Sequence, residues 1–185
     1  QEVKKKLTRE IIKKLNFPIF VKPSNSGSSI GISKVINESE ISQALEKAWG
    51  IDPRIVVEEG LEVREIECGI IGNSQLLTSE IGEVKYESDW YDYDSKYNLN
   101  NKITIPAEID SKITKQIKEI AIQSCRTLNI FGFARVDFFL EKSSNKIFLN
   151  EINTIPGFTK KSMFPMLWKA SGLNIEQLVA KLVDI

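Results

Sequence analysis

Apolar residues recur at helical spacing in four stretches of the chain. Residues three and four positions apart share one face of a helix, so such a stripe predicts an amphipathic helix. Three of the stretches are residues 41–49, about 111–128 and a terminal one around 175–182, and the fourth, residues 2–16, is helical and basic in character. Asn37 with Glu40 three residues on resembles a capping box for the second helix, and Gly50 follows that helix as a stop signal.

Short runs of β-branched and aromatic residues between these stretches predict strands. The predicted strands cover residues 17–23, 32–36, 55–58, 65–71 and both sides of a turn at Ser143–Lys146. Hairpin-like links are common, which favours an α+β fold with mostly antiparallel sheets. We place a soft domain boundary near residue 64, which divides the chain into domains 1–64 and 65–185.

The composition is that of an ordinary globular protein. Of 185 residues, 42% are hydrophobic and 27% charged, with 25 basic and 25 acidic side chains. This balance favours no nucleic-acid partner, and no apolar run is long enough for a membrane span. Cys68 and Cys125 lie among apolar residues, so we interpret both as core thiols of a cytoplasmic protein.

The chain contains no histidine. Ser-His-Asp and Cys-His catalysis and His-ligated zinc are therefore excluded for this sequence. Chemistry must rely on carboxylates, Lys, Arg, Tyr or a bound metal. Phosphoryl transfer fits this restriction, because it depends mostly on positioning and charge neutralisation.

Polar side chains interrupt the two apolar strands of the predicted hairpin. Arg135 and Asp137 share one strand face, as do Glu151 and Asn153, and pairing would bring Asp137 beside or diagonal to Glu151. Oxygen donors on a sheet suit Mg²⁺, and Mg²⁺ beside an Arg suits phosphate. The alternative is the polar outer face of a half-exposed hairpin, which we disfavour because such faces seldom concentrate acids and an amide beside an Arg.

Three further segments each admit two interpretations. Lys22 precedes the small-residue loop PSNSGSSIG, which could fold over phosphates or be a plain hairpin. The segment VVEEGLEVREIE could present groups to a nucleoside, although alone it is more typical of a solvated acidic loop. The Tyr-rich loop DWYDYDSKYN could close over a site or be a surface loop pinned by its aromatic residues.

Together these segments resemble the ATP-grasp fold and, within it, the D-alanine–D-alanine ligase family of bacterial wall synthesis. The matching strings, in the family's order, are FVKPSNSGSSIGISKV, VVEEGLEVREIE, WYDYDSKYN, FGFARVDFFLE and FLNEINTIPGFTKKSMFP. The resemblance implies two α+β subdomains that hold a nucleotide between them. It also implies an ATP-dependent, ADP-forming ligase of peptidoglycan precursor synthesis that joins two D-alanines through a D-alanyl phosphate.

The resemblance also implies which residues bind ATP. Lys22 would bind the phosphates, Glu58 to Leu61 the adenine and Glu65 the ribose, while Lys96 would reach the transferred phosphoryl group. The full implied set is Lys22, Ser26, Gly27, Ser28, Ser29, Glu58, Glu59, Leu61, Glu65 and Lys96.

Metal ligands and catalytic residues follow from the same resemblance. Asp137, Glu151 and Asn153 would hold two Mg²⁺ ions, or Mn²⁺, with Glu151 bridging them. Arg135 and the Gly157 N–H would stabilise the oxyanion of the tetrahedral intermediate. The remaining implied roles are substrate contacts at Ser162 and Met163 and a lid closed by Ser28 and Tyr97.

The sequence departs from the family pattern in two respects. Family members carry an N-terminal domain before the equivalent of Phe17, so we expect this chain to be a fragment, inactive alone, of a homodimeric parent. Relatives that use D-lactate tend to carry a His in the Tyr-rich loop, and both resistance groups tend to carry Arg after the final Ser, where this chain has Met163. The pattern favours D-alanine; a D-serine or D-lactate ligase, or another ATP-grasp carboxylate–amine ligase, is the alternative.

Overall fold

A computed structural model describes residues 2–27, 29–85 and 102–185, with side chains from Lys5 onward. The described residues form two compact units. The N-terminal unit ends at Leu61, and the C-terminal unit contains Glu62–Lys85 and residues 102–185. The assignment of domains 1–64 and 65–185 stays a prediction.

The N-terminal unit packs helices on a three-stranded antiparallel sheet with the order β2-β1-β3. Its elements are α1 (Glu2–Lys14), β1 (Ile19–Pro23), β2 (Ser33–Val35), a 3₁₀ turn (Glu38–Glu40), α2 (Ile41–Trp49) and β3 (Ile55–Glu59). Alternate residues of β1, Ile19 and Val21, are fully buried against the apolar face of α2, on which Ile41 and Leu45 lie. The apolar face of the strand, which repeats every two residues, and that of the helix, which repeats every 3.6, therefore pack together in one core, as their sequence patterns predict.

The C-terminal unit contains a five-stranded antiparallel sheet with the order β6-β5-β4-β7-β8. Its elements are β4 (Val63–Gly72), β5 (Leu77–Lys85), β6 (Lys102–Thr104), α3 (Ser111–Thr127), β7 (Gly132–Glu141), β8 (Ile147–Asn153), α4 (Met163–Ala170) and α5 (Ile175–Val183). Every strand pair in both sheets of the described residues is antiparallel, which confirms the α+β prediction.

Helix α3 covers one face of the large sheet. Its buried residues Ile117 and Ala121 belong to the same cluster as Ile66, Val136 and Phe138 of the central strands. Cys68 and Cys125 are buried free thiols in this cluster, as predicted. Burial raises the pKa of Cys68 to about 12, so this group stays a neutral thiol and packs in the core as an apolar side chain would.

Helices α4 and α5 cover part of the opposite face. Phe164, Trp168 and Leu178 pack with Ile71 of β4. The sequence patterns did not predict α4, because MFPMLWKA is apolar almost all round and contains a Pro. That Pro165 lies in the first helical turn, where its missing N–H costs little.

No helix among the described residues is long and apolar enough to cross a membrane.

Candidate functional site

Three neighbouring strands bring the polar residues of the predicted hairpin together with Glu67. In the β7–β8 pair, Asp137 lies directly opposite Glu151, one of the two arrangements predicted, and Arg135 lies opposite Asn153. On the other side of β7, Glu67 of β4 lies opposite Asp137. Glu67, Asp137 and Glu151 therefore form a row of acidic residues across three strands, which we call the carboxylate row.

A β-bulge in β8 directs the side chains of this strand. Asp137 pairs with Glu151, but the next residue, Phe138, pairs with Leu149, so Asn150 is the extra residue. Leu149 and Glu151 would share a face in a regular strand, since side chains alternate. The bulge instead places Glu151 on the face of Asp137 while Leu149 lies opposite Phe138.

Arg135 lies against two members of the carboxylate row. Its Nε–H donates to Asp137 Oδ1 and its Nη2–H to Asp137 Oδ2, both at 2.7 Å, in a two-pronged ion pair. The same Nε is 2.9 Å from Glu67 Oε2. The side chain of Arg135 is only 18% exposed, and those of Glu67 and Asp137 are each 12% exposed. These three charges therefore interact with little screening from solvent.

Asn153 joins the carboxylates on its side of the site. Its Nδ2–H donates to Asp137 Oδ2 at 2.9 Å and lies 3.5 Å from Glu151 Oε1. Burial alone lowers the pKa of Arg135, but the bonds to Asp137 and the charges of Glu67, Asp137 and Glu151 outweigh it and raise the pKa above its usual value. Arg135 is therefore a fixed cation.

The donor set fits a divalent cation in its chemistry. Its oxygens are hard ligands, and the three carboxylates with one guanidinium carry a net charge of −2. Among the described residues, however, no group of three or more His, Cys, Asp or Glu is arranged to hold a metal. Asp137 Oδ1 accepts from Arg135, and Oδ2 accepts from both Arg135 and Asn153, so ligation of a metal by both oxygens of Asp137 requires a change of partner.

Sequence reasoning missed Glu67 as a site residue. It appeared only as the last letter of the acidic segment VVEEGLEVREIE. A signal was present, because Glu67 follows Glu65 by two positions and so shares its strand face. What the pattern could not give is the register of β4 on β7, which sets Glu67 opposite Asp137.

In the N-terminal unit, Lys22 pairs with Glu58. Lys22 Nζ lies 2.6 Å from Glu58 Oε1, across the β1–β3 pair, and both side chains are partly exposed. The two residues were predicted to bind different parts of one nucleotide. The structure brings them into direct contact, so a phosphate group at Lys22 would compete with the Glu58 carboxylate.

The small-residue loop after β1 is held by its own bonds and by Asp52. Ser26 Oγ–H donates to the Ile30 carbonyl at 2.8 Å, and the Ile30 N–H donates to Gly27 at 3.1 Å. Ser29 has a left-handed φ of 58°. The Asn25 N–H donates to the buried carboxylate of Asp52 at 2.8 Å, a contact that the sequence patterns did not predict.

The other predicted nucleoside contacts lie at the end of the N-terminal unit and the start of β4. Glu59 accepts two bonds from Asn16, from its backbone N–H at 2.7 Å and its Nδ2–H at 2.9 Å. Leu61 is 39% exposed. Glu65, in the C-terminal unit, is half-buried opposite Phe139 of β7.

Gly157 and Ser162 lie together before α4. A Cβ at Gly157 would come within 2.9 Å of Ser162 Oγ, so a larger residue here would have to displace that hydroxyl. Ser162 Oγ accepts the Thr159 N–H at 3.0 Å and forms no cap bond to α4. Met163 is only 6% exposed, and its sulfur would lie 3.1 Å from a Cβ at Gly82, so it packs against β5.

Residues 1–184 match the family model described as the D-ala D-ala ligase C-terminus. The chain belongs to this family. A D-alanine–D-alanine ligase of Prochlorococcus marinus strain MIT 9312 is 89% identical over 184 residues, and one of strain NATL1A is 48% identical over 182. These alignments cover 100% and 98% of this chain but 52% of each relative. The chain thus spans about half the length of the curated relatives it matches.

Solved structures agree with the family assignment. The VanG D-Ala:D-Ser ligase of Enterococcus faecalis matches all of the chain with a TM-score of 0.88 at 38% identity, and the chain covers 54% of it. The D-alanine–D-alanine ligase of Coxiella burnetii matches 96% of the chain with a TM-score of 0.81 at 34% identity, and 47% of it is covered. The resemblance to the ligase family and its ATP-grasp fold is therefore confirmed.

Three residues with implied roles in this family, Ser28, Lys96 and Tyr97, lie outside the described residues. Their roles in phosphate contact and in closing a lid stay predictions.

Proposed function

We propose that this chain contains the nucleotide-binding and metal-binding residues of an ATP-dependent D-alanine–D-alanine ligase. This enzyme joins two D-alanines by way of a D-alanyl phosphate. The observation that carries the proposal is the arrangement of Asp137, Glu151 and Asn153 beside Arg135 on one sheet face. Membership of the ligase family supports it. Such a site suits two anionic partners that must approach each other.

Asp137, Glu151 and Asn153 are the residues that would hold Mg²⁺, or Mn²⁺. The ion would supply neutralisation of phosphate charge. Glu151 is the most exposed member of the carboxylate row and is engaged only through a 3.5 Å contact among the bonds described here, so it is the accessible ligand. The row together with Arg135 carries a net charge of −2, which matches a divalent cation.

The other roles are assigned to groups of this chain. Lys22 binds nucleotide phosphates and exchanges its Glu58 partner for them. Glu58, Glu59 and Leu61 contact the adenine, and Glu65 the ribose. Arg135, a permanent cation, and the Gly157 N–H stabilise the developing oxyanion. In this proposal Ser162 holds the carboxylate of the second amino acid.

A second candidate is a D-alanine–D-serine ligase, since VanG, whose structure matches the whole chain, is a D-Ala:D-Ser ligase. Met163, directly after Ser162, favours D-alanine in our proposal, because an apolar neighbour suits a methyl better than a hydroxymethyl group. The two candidates differ in the product that forms when D-alanine and D-serine compete at equal concentration.

We also propose that the ligase acts in the cytoplasm, where it supplies peptidoglycan precursors, and works as a homodimer. The family resemblance supports both statements. Sedimentation of the active protein tests the second.

The metal–nucleotide site is tested by calorimetric titration of this chain with ATP, in Mg²⁺ and then in EDTA. We expect Mg²⁺-dependent binding that Glu151→Ala abolishes and that Glu80→Ala preserves. Glu80 is a matched control, because it is a partly exposed carboxylate of the same sheet that pairs with Lys118, away from the carboxylate row. Equal binding by both variants would overturn the metal assignment.

Ligase activity is tested in a chimera, because the chain spans about half of its relatives. The remaining half of the strain MIT 9312 ligase is joined to this chain, and phosphate release and dipeptide formation are measured with D-alanine, D-serine and both. We expect D-alanyl-D-alanine as the main product. Preference for D-serine would select the second candidate, and a folded chimera that forms neither product while the relative is active would refute both.

A further inference from the structure

Glu67 occupies a position that creates an electrostatic problem. It lies directly opposite Asp137 in the β4–β7 pair, and Glu151 lies opposite Asp137 on the other side. Like charges directly opposite each other in a sheet are destabilising. The described structure relieves this with Arg135, whose Nε lies 2.9 Å from Glu67 Oε2 and 2.7 Å from Asp137 Oδ1.

The local backbone gives Arg135 access to both carboxylates. Arg135 lies opposite Gly69 of β4, which has no side chain, so its guanidinium extends diagonally to Glu67. The diagonal distance across an antiparallel pair is within reach of a long side chain. One guanidinium is therefore shared between Asp137, on its own strand, and Glu67, on the neighbouring strand.

A divalent cation at Asp137 would disturb this sharing. Asp137 gives both oxygens to Arg135, and Oδ2 also accepts the Asn153 amide. A cation that ligates both oxygens of Asp137 needs the lone pairs that Arg135 and Asn153 use on Oδ2, and so displaces the guanidinium from its two-pronged partner. An Arg that is 18% exposed and loses its main partner would swing toward solvent, unless a second carboxylate retains it.

We propose that Glu67 is a positioning residue that retains the Arg135 guanidinium on the sheet when Asp137 turns to a divalent cation. The proposal rests on the proposed function, because it assumes the metal at Asp137 and Glu151. Glu67 itself ligates nothing in this scheme. Glu67 allows Arg135 to have two roles. Without metal, Arg135 is the charge partner of Asp137; with metal bound, it is an oriented cation beside the substrate.

The side-chain Nε–H signal of Arg135 reports this exchange of partners directly. It is recorded by NMR on the 21.0 kDa chain and identified by its loss in Arg135→Lys. Without metal, we expect slow exchange of this proton with water in the wild type and in Glu67→Gln, because Asp137 holds it in both. With Mg²⁺, we expect slow exchange to persist in the wild type and to accelerate about 10-fold or more in Glu67→Gln, because the guanidinium then lacks a hydrogen bond to a charged group.

Variants separate this role from a purely structural one. Glu80→Gln, the matched control, should behave as the wild type, and Glu67→Asp should restore part of the protection. Glu67→Asp also serves if Glu67→Gln does not fold. A structural role alone would change the metal-free spectrum and would not make the Arg135 signal sensitive to Mg²⁺.

Mg²⁺ binding is followed in the same spectra from the backbone amides of β8, with Glu151→Ala as the reference that does not bind. If Mg²⁺ binds and the Arg135 proton behaves alike in the wild type and Glu67→Gln, the Glu67 proposal fails and the metal assignment stands. If the wild type shows no Glu151-dependent shift even with ATP, the metal assignment fails and the Glu67 proposal fails with it.

Discussion

Asp52 shows how one buried carboxylate can fix a loop of the candidate site. Its Oδ2 accepts the Asn25 N–H at 2.8 Å, and its Oδ1 accepts the Arg54 N–H at 2.7 Å. Asn25 lies in the small-residue loop, and Arg54 precedes β3. The bond from Arg54 is the main cause that lowers the pKa of Asp52, and it outweighs the opposing effect of burial.

This depressed pKa predicts a pH dependence of stability with a definite sign. A group whose pKa falls on folding contributes stability above its usual value, here 3.8, and loses it as the pH falls through the folded value. We expect Asp52→Asn to lower the unfolding midpoint of the N-terminal unit at pH 7, and the difference from the wild type to shrink below about pH 4. Chemical unfolding followed across this pH range measures the effect.

Glu38→Gln is the control for Asp52→Asn, since Glu38 is an exposed carboxylate of the same unit. Its midpoint should follow the wild type at every pH. A constant deficit for Asp52→Asn from pH 7 to pH 3 would show that the ionised form of Asp52 does not stabilise the loop.

Elements with a clear period were predictable from the sequence, and elements fixed by packing were not. The apolar stripes of α2 and α3 identify these helices in the sequence, and the alternation of apolar and polar residues identifies β1 and β7. In contrast, α4 is apolar almost all round because it packs against both the sheet and α5, so its sequence shows no clear helical period. Asn37 and Glu40 cap a 3₁₀ turn, with Asn37 accepting from Ser39, while the complete capping box opens α5 at Asn174 and Gln177.

The candidate site was also predictable only in part. The pairing of Asp137 with Glu151 follows from alternation and a short turn, and the structure has it. The bulge at Asn150 has no local signature, because any residue can be the extra one in a strand. The partnership of Glu67 with Arg135 depends on which strand neighbours β7, which is a property of the sheet order and not of the segment.

Two glycines determine how closely α4 lies on the sheet. A Cβ at Gly69 would lie 2.7 Å from Trp168 Nε1 and 3.1 Å from Ser79 Oγ, and one at Gly82 would lie 2.8 Å from Leu167 Cδ2. The contacts of 2.7 and 2.8 Å are shorter than real Cβ atoms show, and overpacking typically costs about 1–3 kcal/mol. We expect Gly69→Ala to destabilise the C-terminal unit by about that amount, measured by denaturant unfolding.

A double-mutant cycle tests the cause of that loss. Trp168 Nε1 is buried with no hydrogen-bond partner in the described part of the chain, so Trp168→Phe removes both the clash and an unsatisfied group. Gly69→Ala should cost at least about 0.5 kcal/mol less in this background. Gly27→Ala, at a position where no described atom lies within 4 Å of the added Cβ, is the control. If the effects of Gly69→Ala and Trp168→Phe on the free energy of unfolding are additive, the added Cβ is not strained against Trp168.

At the scale of the whole molecule, the chain has separate apolar cores in its two units. Ile41 is fully buried in the cluster of the N-terminal unit, and Ile117 is fully buried in the α3 cluster of the C-terminal unit. Each core is closed by elements of its own unit, β1 with α2 in one and the large sheet with α3 in the other. Local stability should therefore be set unit by unit.

Matched substitutions test this independence. Ile→Ala at a fully buried position typically costs about 2–5 kcal/mol, and the change is chemically identical at Ile41 and Ile117. Under native conditions we expect Ile41→Ala to lower amide hydrogen-exchange protection in β1, β3 and α2 only, and Ile117→Ala to lower it in β4, β7 and α3 only. Mass spectrometry of peptic fragments resolves the two sets. Loss of protection in both units from either substitution would mean that they open as one cooperative body, because the destabilisation would then be shared by every residue whose exchange requires global unfolding.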